Sequence, residues 1–102
     1  MNLKPGSRWM STVCTAEVVV VRPAKSEVTL ECGGHPVAAL GGERPAGLAL
    51  AADRAEGVHA GKRYFDEESG LEVLGSKAGA GSLSVDGRPL ARKEAKALPA
   101  SD

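Results

Sequence analysis

Valine marks the clearest apolar run in this chain. The segment Glu17-Val18-Val19-Val20-Val21 is β-branched at each apolar position, stiff at χ1 and suited to an extended backbone. Residues 12–22 are therefore predicted as β. The four valines are consecutive rather than alternating, which predicts a strand covered on both faces or buried in a dimer interface. Residues 26–32, with Glu27-Val28-Thr29-Leu30, read as a second strand. The polar linker Arg22-Pro23-Ala24-Lys25-Ser26 between them is long enough for a hairpin. Antiparallel pairing of these two strands is the expectation, and it would carry Cys14 and Cys32 to one end.

The pattern then weakens. Residues 41–60 are broken by Gly41-Gly42 and Pro45-Ala46-Gly47, and Leu48-Ala49-Leu50-Ala51-Ala52 fits a helical turn or a short strand. An irregular loop is predicted there, of the kind that serves as a binding loop or a linker. Residues 61–91 form a second β unit. Tyr64-Phe65 leads to the acidic turn Asp66-Glu67-Glu68-Ser69-Gly70, which reads as solvated. Leu71-Glu72-Val73-Leu74 and the cleanly alternating Ser82-Leu83-Ser84-Val85 are predicted strands joined by the glycine-rich turn Lys77-Ala78-Gly79-Ala80-Gly81. Asp86-Gly87 is a tight-turn dipeptide. Residues 92–102 are predicted to be an extended or frayed tail. No repeat of fixed period occurs. The fold class expected is a small, mainly β single domain of two hairpin-like units.

Composition sharpens that picture. The 102 residues include one Trp, one Tyr, one Phe and no Ile, so the 42% apolar content is mostly Ala, Val and Leu. Alanine adds little burial at about 25 cal/mol per Å². A thin core of this kind gains from a staple or a partner subunit. Lys+Arg and Asp+Glu number 13 each. This balance disfavours nucleic acid and an anionic membrane surface as partners, although it leaves room for a local basic patch. No apolar signal core opens the sequence, and no run reaches the ~20 apolar residues of a transmembrane helix. A cytoplasmic protein is the expectation. In that reducing compartment a cysteine pair points to metal binding, redox chemistry or plain burial.

The chemistry-bearing residues cluster between Trp9 and Val37. Seventeen residues separate Cys14 from Cys32, and His35 lies three positions after Cys32. Thiolates and imidazole are ligands for zinc or iron, and a structural zinc site takes four of them. Cys14, Cys32 and His35 are the predicted metal ligands. Ser11 stands three before Cys14, where a CxxC pair would put its first thiol, and His59 could arrive from the loop. Two chains could instead pool two cysteines each. Against this stand a disulfide or redox pair, and two cysteines that are merely small buried apolar residues. His35 lies in a turn, where a histidine is more often a surface residue than a ligand, and the nearby Cys32 improves its standing as a ligand modestly. Gly33-Gly34 would let backbone N–H groups point at sulfur, or would form a turn requiring positive φ.

Elsewhere the signals are thin. The Asp66-Glu67-Glu68 spacing matches no EF-hand. Lys77 to Gly81 lacks P-loop spacing, and no Gly-x-Ser-x-Gly, His-Glu-x-x-His or Rossmann fingerprint is present.

Three pieces of the N-terminal third together resemble the desulforedoxin family, the rubredoxin-like iron module that also forms the N-terminal domain of desulfoferrodoxins. They are Gly6-Ser7-Arg8-Trp9, Cys14 followed by Glu17-Val18-Val19-Val20, and Leu30-Glu31-Cys32-Gly33-Gly34-His35-Pro36-Val37. In that resemblance Cys14 matches the second thiol of a CxxC and Ser11 takes the place of the first. Cys32 matches one member of the second cysteine pair and Gly33 takes the other. Two of four iron ligands are thus absent, and an iron centre of four cysteines within one chain is excluded by count. The resemblance implies a small β fold, possible as a dimer.

The leading functional expectation is a small non-enzymatic or accessory metal-binding protein, with zinc ahead of iron. The alternatives are a β-rich interaction module, homodimeric or bound to a partner protein, and a small thiol redox protein. No base–nucleophile set supports an enzyme.

Overall fold

The computed structural model describes residues 1–45 and 47–93. Ten short strands appear among them, and no α-helix: Arg8–Met10 (β1), Glu17–Arg22 (β2), Leu30–Cys32 (β3), His35–Pro36 (β4), Ala38–Ala39 (β5), Arg63–Phe65 (β6), Glu72–Lys77 (β7), Leu83–Val85 (β8), Arg88–Pro89 (β9) and Ala91–Lys93 (β10). The protein is mainly β, as its patterning predicts. The strands form two antiparallel sheets. The larger runs β10-β6-β7-β2-β1-β5 and the smaller β4-β3-β8-β9.

The expected pairing of residues 12–22 with 26–32 does not occur. β2 is flanked by β1 and β7, so both its edges are occupied. β3 instead pairs with β4 and β8 in the second sheet. The linker explains the divergence. Pro23 has no N–H to continue a ladder, and the Lys25 N–H is drawn to the Ser69 carbonyl at 2.7 Å. The chain thereby leaves the first sheet before β3 begins. The second unit likewise departs from the predicted hairpin. β7 pairs with β2 and β6, while β8 pairs with β3 and β9, so the glycine-rich segment after Lys77 is a crossing between sheets and not a hairpin turn.

Nor is the valine run covered on both faces. Val18 and Val20 are buried, Val19 is half-buried and Val21 is 40% exposed. The period of two was hidden because both faces carry the same residue. The acidic turn is not wholly solvated. Asp66 is buried and paired with Arg88, while Glu67 and Glu68 are exposed. The expected irregular loop is present, with one 3-10 turn at Ala52–Arg54 and an isolated bridge between Val58 and Gly79. Of the predicted tail, Arg92 and Lys93 belong to β10, paired with β6. Residues 94–102 lie outside the described part.

One apolar cluster joins the sheets. It takes in Val18, Val20, Tyr64 and Val73 from the larger sheet and Leu30, Cys32, Leu83 and Val85 from the smaller. Each fully buried Val or Leu contributes about 1.5–3 kcal/mol. Cys32 is 1% exposed, and Cys14 packs against the edge of this cluster.

Candidate functional site

The site begins at the loop between β1 and β2, residues 11–16. Ser11 organises it. Its buried Oγ accepts the N–H groups of Val13 and Cys14, each at 3.1 Å. Its own N–H donates to the Ala16 carbonyl at 2.9 Å. A serine hydroxyl bonding two and three residues ahead is a compact local turn. It fixes Cys14 at the crest of the loop, half-buried.

Cys32 arrives from the other sheet. It ends β3, and Cys32 and His35 are cross-strand partners around Gly33-Gly34. Those glycines have φ of 67° and 89°. Two positive φ values in a two-residue hairpin turn are the requirement that glycine meets without steric cost. The glycine pair thus serves its turn role. The backbone N–H aimed at sulfur comes from elsewhere: Gly81 donates to Cys14 Sγ at 3.4 Å.

The two sulfurs lie 3.9 Å apart. The sequence anticipated their meeting, but the route differs. They come together between sheets, not at the end of a shared hairpin. Close approach of the crossing segment makes this possible. A Cβ on Gly81 would sit 2.9 Å from the Gly33 nitrogen and 3.1 Å from Cys32 Sγ. One on Gly79 would collide with the Ala16 backbone nitrogen. The sequence predicts a turn at these glycines, and residue type alone does not separate that role from close approach.

The thiols have opposite environments. At Cys14 burial works to raise the pKa. Hydrogen bonds from the Ser11 hydroxyl, the Ala16 and Gly81 backbone and the Cys32 thiol outweigh it, and hold Cys14 below the ordinary thiol value. At Cys32 deep burial, followed by the like charge of the Cys14 thiolate, pushes the pKa up to about 12. The Ser11 hydroxyl acts to lower the pKa of both thiols. The result is one half-exposed thiol prone to ionise and one sealed thiol that keeps its proton.

His35 is directed elsewhere. Its Nε2 pairs with the Ala49 carbonyl at 2.9 Å, which makes that nitrogen the proton-bearing one. His59 lines a separate cavity with Tyr64, Glu56 and Arg92. Among the described residues no group of three His, Cys, Asp or Glu side chains converges as a metal cage. The structure therefore brings together two of the three predicted ligands. No described helix is long and apolar enough to cross a membrane.

Comparison with family models, curated proteins and solved structures finds no match to this chain.

Proposed function

We propose that this protein is a small cytoplasmic dithiol redox couple, cycling Cys14 and Cys32 between thiols and an intramolecular disulfide. The observation that carries this reading is the 3.9 Å sulfur separation between two thiols of opposite ionisation tendency.

The chemistry follows from the asymmetry. The Cys14 thiolate attacks one sulfur of a low-molecular-weight disulfide of the glutathione class. The external S–S bond breaks, a new S–S bond forms to Cys14, and one external thiolate leaves and takes up a proton. Capping Cys14 removes its negative charge. That charge is the second cause of the high Cys32 pKa, so Cys32 now ionises more readily. Its sulfur attacks Cys14 Sγ and expels the second external thiol, protonated by the hydrogen that Cys32 gives up. Two protein thiols are oxidised and one external disulfide is reduced to two thiols. To bond, the sulfurs close from 3.9 Å to about 2.05 Å.

Exposure to oxidised glutathione followed by intact mass tests this. The wild-type protein should lose two hydrogen atoms and carry no adduct. Cys32→Ser should stall with one glutathione on Cys14, and Cys14→Ser should not react. Equal adducts on both single variants would contradict the assigned roles.

One distance also favours a metal site. A tetrahedral metal with M–S of about 2.3 Å spaces its sulfurs about 3.8 Å apart, close to the 3.9 Å observed. Cys14 and Cys32 would then supply two corners of a zinc or iron site. The Ser11 oxygen and His35 Nε2 are engaged with the backbone, so a second copy of the chain would supply the remaining thiolates. Stoichiometric zinc or iron in protein purified without added metal, at half an ion per chain and with dimer mass, would establish this reading over the redox one.

A further inference from the structure

The larger sheet has an inner face, which carries Val18, Val20, Val73 and Tyr64 into the core. Its other face carries Val19, Val21 and Leu74, with Met10 buried toward one end of β2 and Glu72 toward the other. Cross-strand register puts one row of side chains across that face. Arg63 opposes Leu74, Leu74 opposes Val19, and Val19 opposes Arg8. The Leu40 N–H then bonds the Arg8 carbonyl, extending the row past β5. Directly opposed residues share a face, so these five form a continuous strip. Val21, two positions from Val19, widens it. Val21 and Leu40 are each 40% exposed, and Val19 and Leu74 are half-buried. Scattered exposed apolar residues mean little, but a contiguous strip is the mark of a docking surface.

Charge selects the occupant. Among the described strand residues the same face carries Arg8, Arg63 and Lys93, joined past a bulge at each end of the β2–β7 pairing by Arg22 and Lys77, against Glu17 and Glu72. Glu72 lies in the next row beside the strip, 6% exposed at its side chain, bonded to Arg63 and Lys93 at 3.3 Å each. The chain as a whole is neutral, so this excess of three positive charges is local to one face. A second copy docking here would set arginine against arginine. A polynucleotide would find one half-buried aromatic ring, Phe65, on this face where a row of stacking platforms is needed. We propose that the outer face of the larger sheet docks an acidic protein segment that also bears aliphatic side chains, its carboxylates meeting Arg8 and Arg63 on either side of the Val19–Leu74 strip. This surface is independent of the thiol pair.

The test is an amide NMR titration of the isotope-labelled protein with a short peptide of alternating Glu and Leu. Shifts should be confined to β1, β2, β6, β7 and Leu40. Affinity should fall about tenfold in Arg8→Glu and again at high salt. Val21→Ser, an exposed change with little bearing on folding, should weaken binding while leaving the free spectrum intact. Four results would overturn the proposal: no shifts; shifts centred on another face; equal response to a Lys–Leu peptide; or stronger binding of a single-stranded oligonucleotide. Concentration-dependent shifts without peptide, mapping to this face, would also overturn it in favour of self-association.

Discussion

The buried carboxylates of this molecule and its thiol pair are held in different ways. Near the β8–β9 turn, Asp66 accepts the Ser69 N–H at 3.1 Å and pairs with Arg88 at 2.9 Å. Glu72 is likewise held by Arg63 and Lys93. Each carboxylate has a cation, and its hydrogen-bonding capacity is spent on holding structure. Among the described residues no cation pairs with the thiols. Neutral hydroxyl and N–H donors stabilise charge on Cys14, while Cys32 is left to burial. Burial of a polar group is therefore not what distinguishes a reactive site here. Unequal treatment of two neighbouring groups is.

The largest effect that sharpens this contrast is covalent. A Cys14–Cys32 disulfide closes a loop across the two sheets and should stabilise the protein by about 3 kcal/mol. Denaturant unfolding of oxidised and reduced protein measures it. An unchanged midpoint would mean that the thiols do not link the sheets.

Next comes the carboxylate side. Asp66→Asn removes a charge-assisted bond to Arg88 and should cost about 2 kcal/mol. The Arg88 hydrogen bond, opposed by burial and aided by Ser69, holds the Asp66 carboxyl below its ordinary value. Its stabilising contribution is therefore complete above the unfolded carboxylate pKa and is lost as pH falls through the lower folded value. Unfolding followed against pH should show a shallower acid limb in Asp66→Asn than in wild type.

Smaller in stability is Gly81→Ala. The added Cβ must displace Gly33 or the Cys32 sulfur, at about 1–2 kcal/mol. Its diagnostic effect is on chemistry, since shifting Gly81 loosens the N–H bond to Cys14. Alkylation against pH should show the Cys14 pKa rising toward the ordinary thiol value. Smallest is Ala at Ser11, whose oxygen accepts two backbone N–H groups. Ser11→Ala should cost about 1 kcal/mol and also raise the Cys14 pKa.

Local chemistry made part of this readable from sequence. Gly33-Gly34 and Asp86-Gly87 both form two-residue turns, because the residues needing positive φ sit where the turns occur. The strand-forming valines were also plain. Partner choice was not. β2 and β3 are neighbours in sequence yet lie in different sheets, and β3 pairs with β8 more than fifty residues away. Alternation says that a strand has two faces and nothing about which strand lies beside it. The alternation of β2 was itself masked by valine on both faces. At the site, the two cysteines and Ser11 were singled out by residue type and spacing. Gly79 and Gly81 were not, because a glycine kept for close approach looks the same as one kept for a turn. The Ala49 carbonyl that engages His35 comes from the irregular loop, where sequence offers no register.

The central claim rests on Cys14 reacting first and Cys32 closing onto it. Reduced protein mixed at neutral pH with a limiting thiol-alkylating reagent, then mapped by peptide mass, tests it most directly. The account predicts label on Cys14 alone, with Cys32 modified only after unfolding. Equal labelling of both cysteines in the folded protein, or label on Cys32 first, would contradict it.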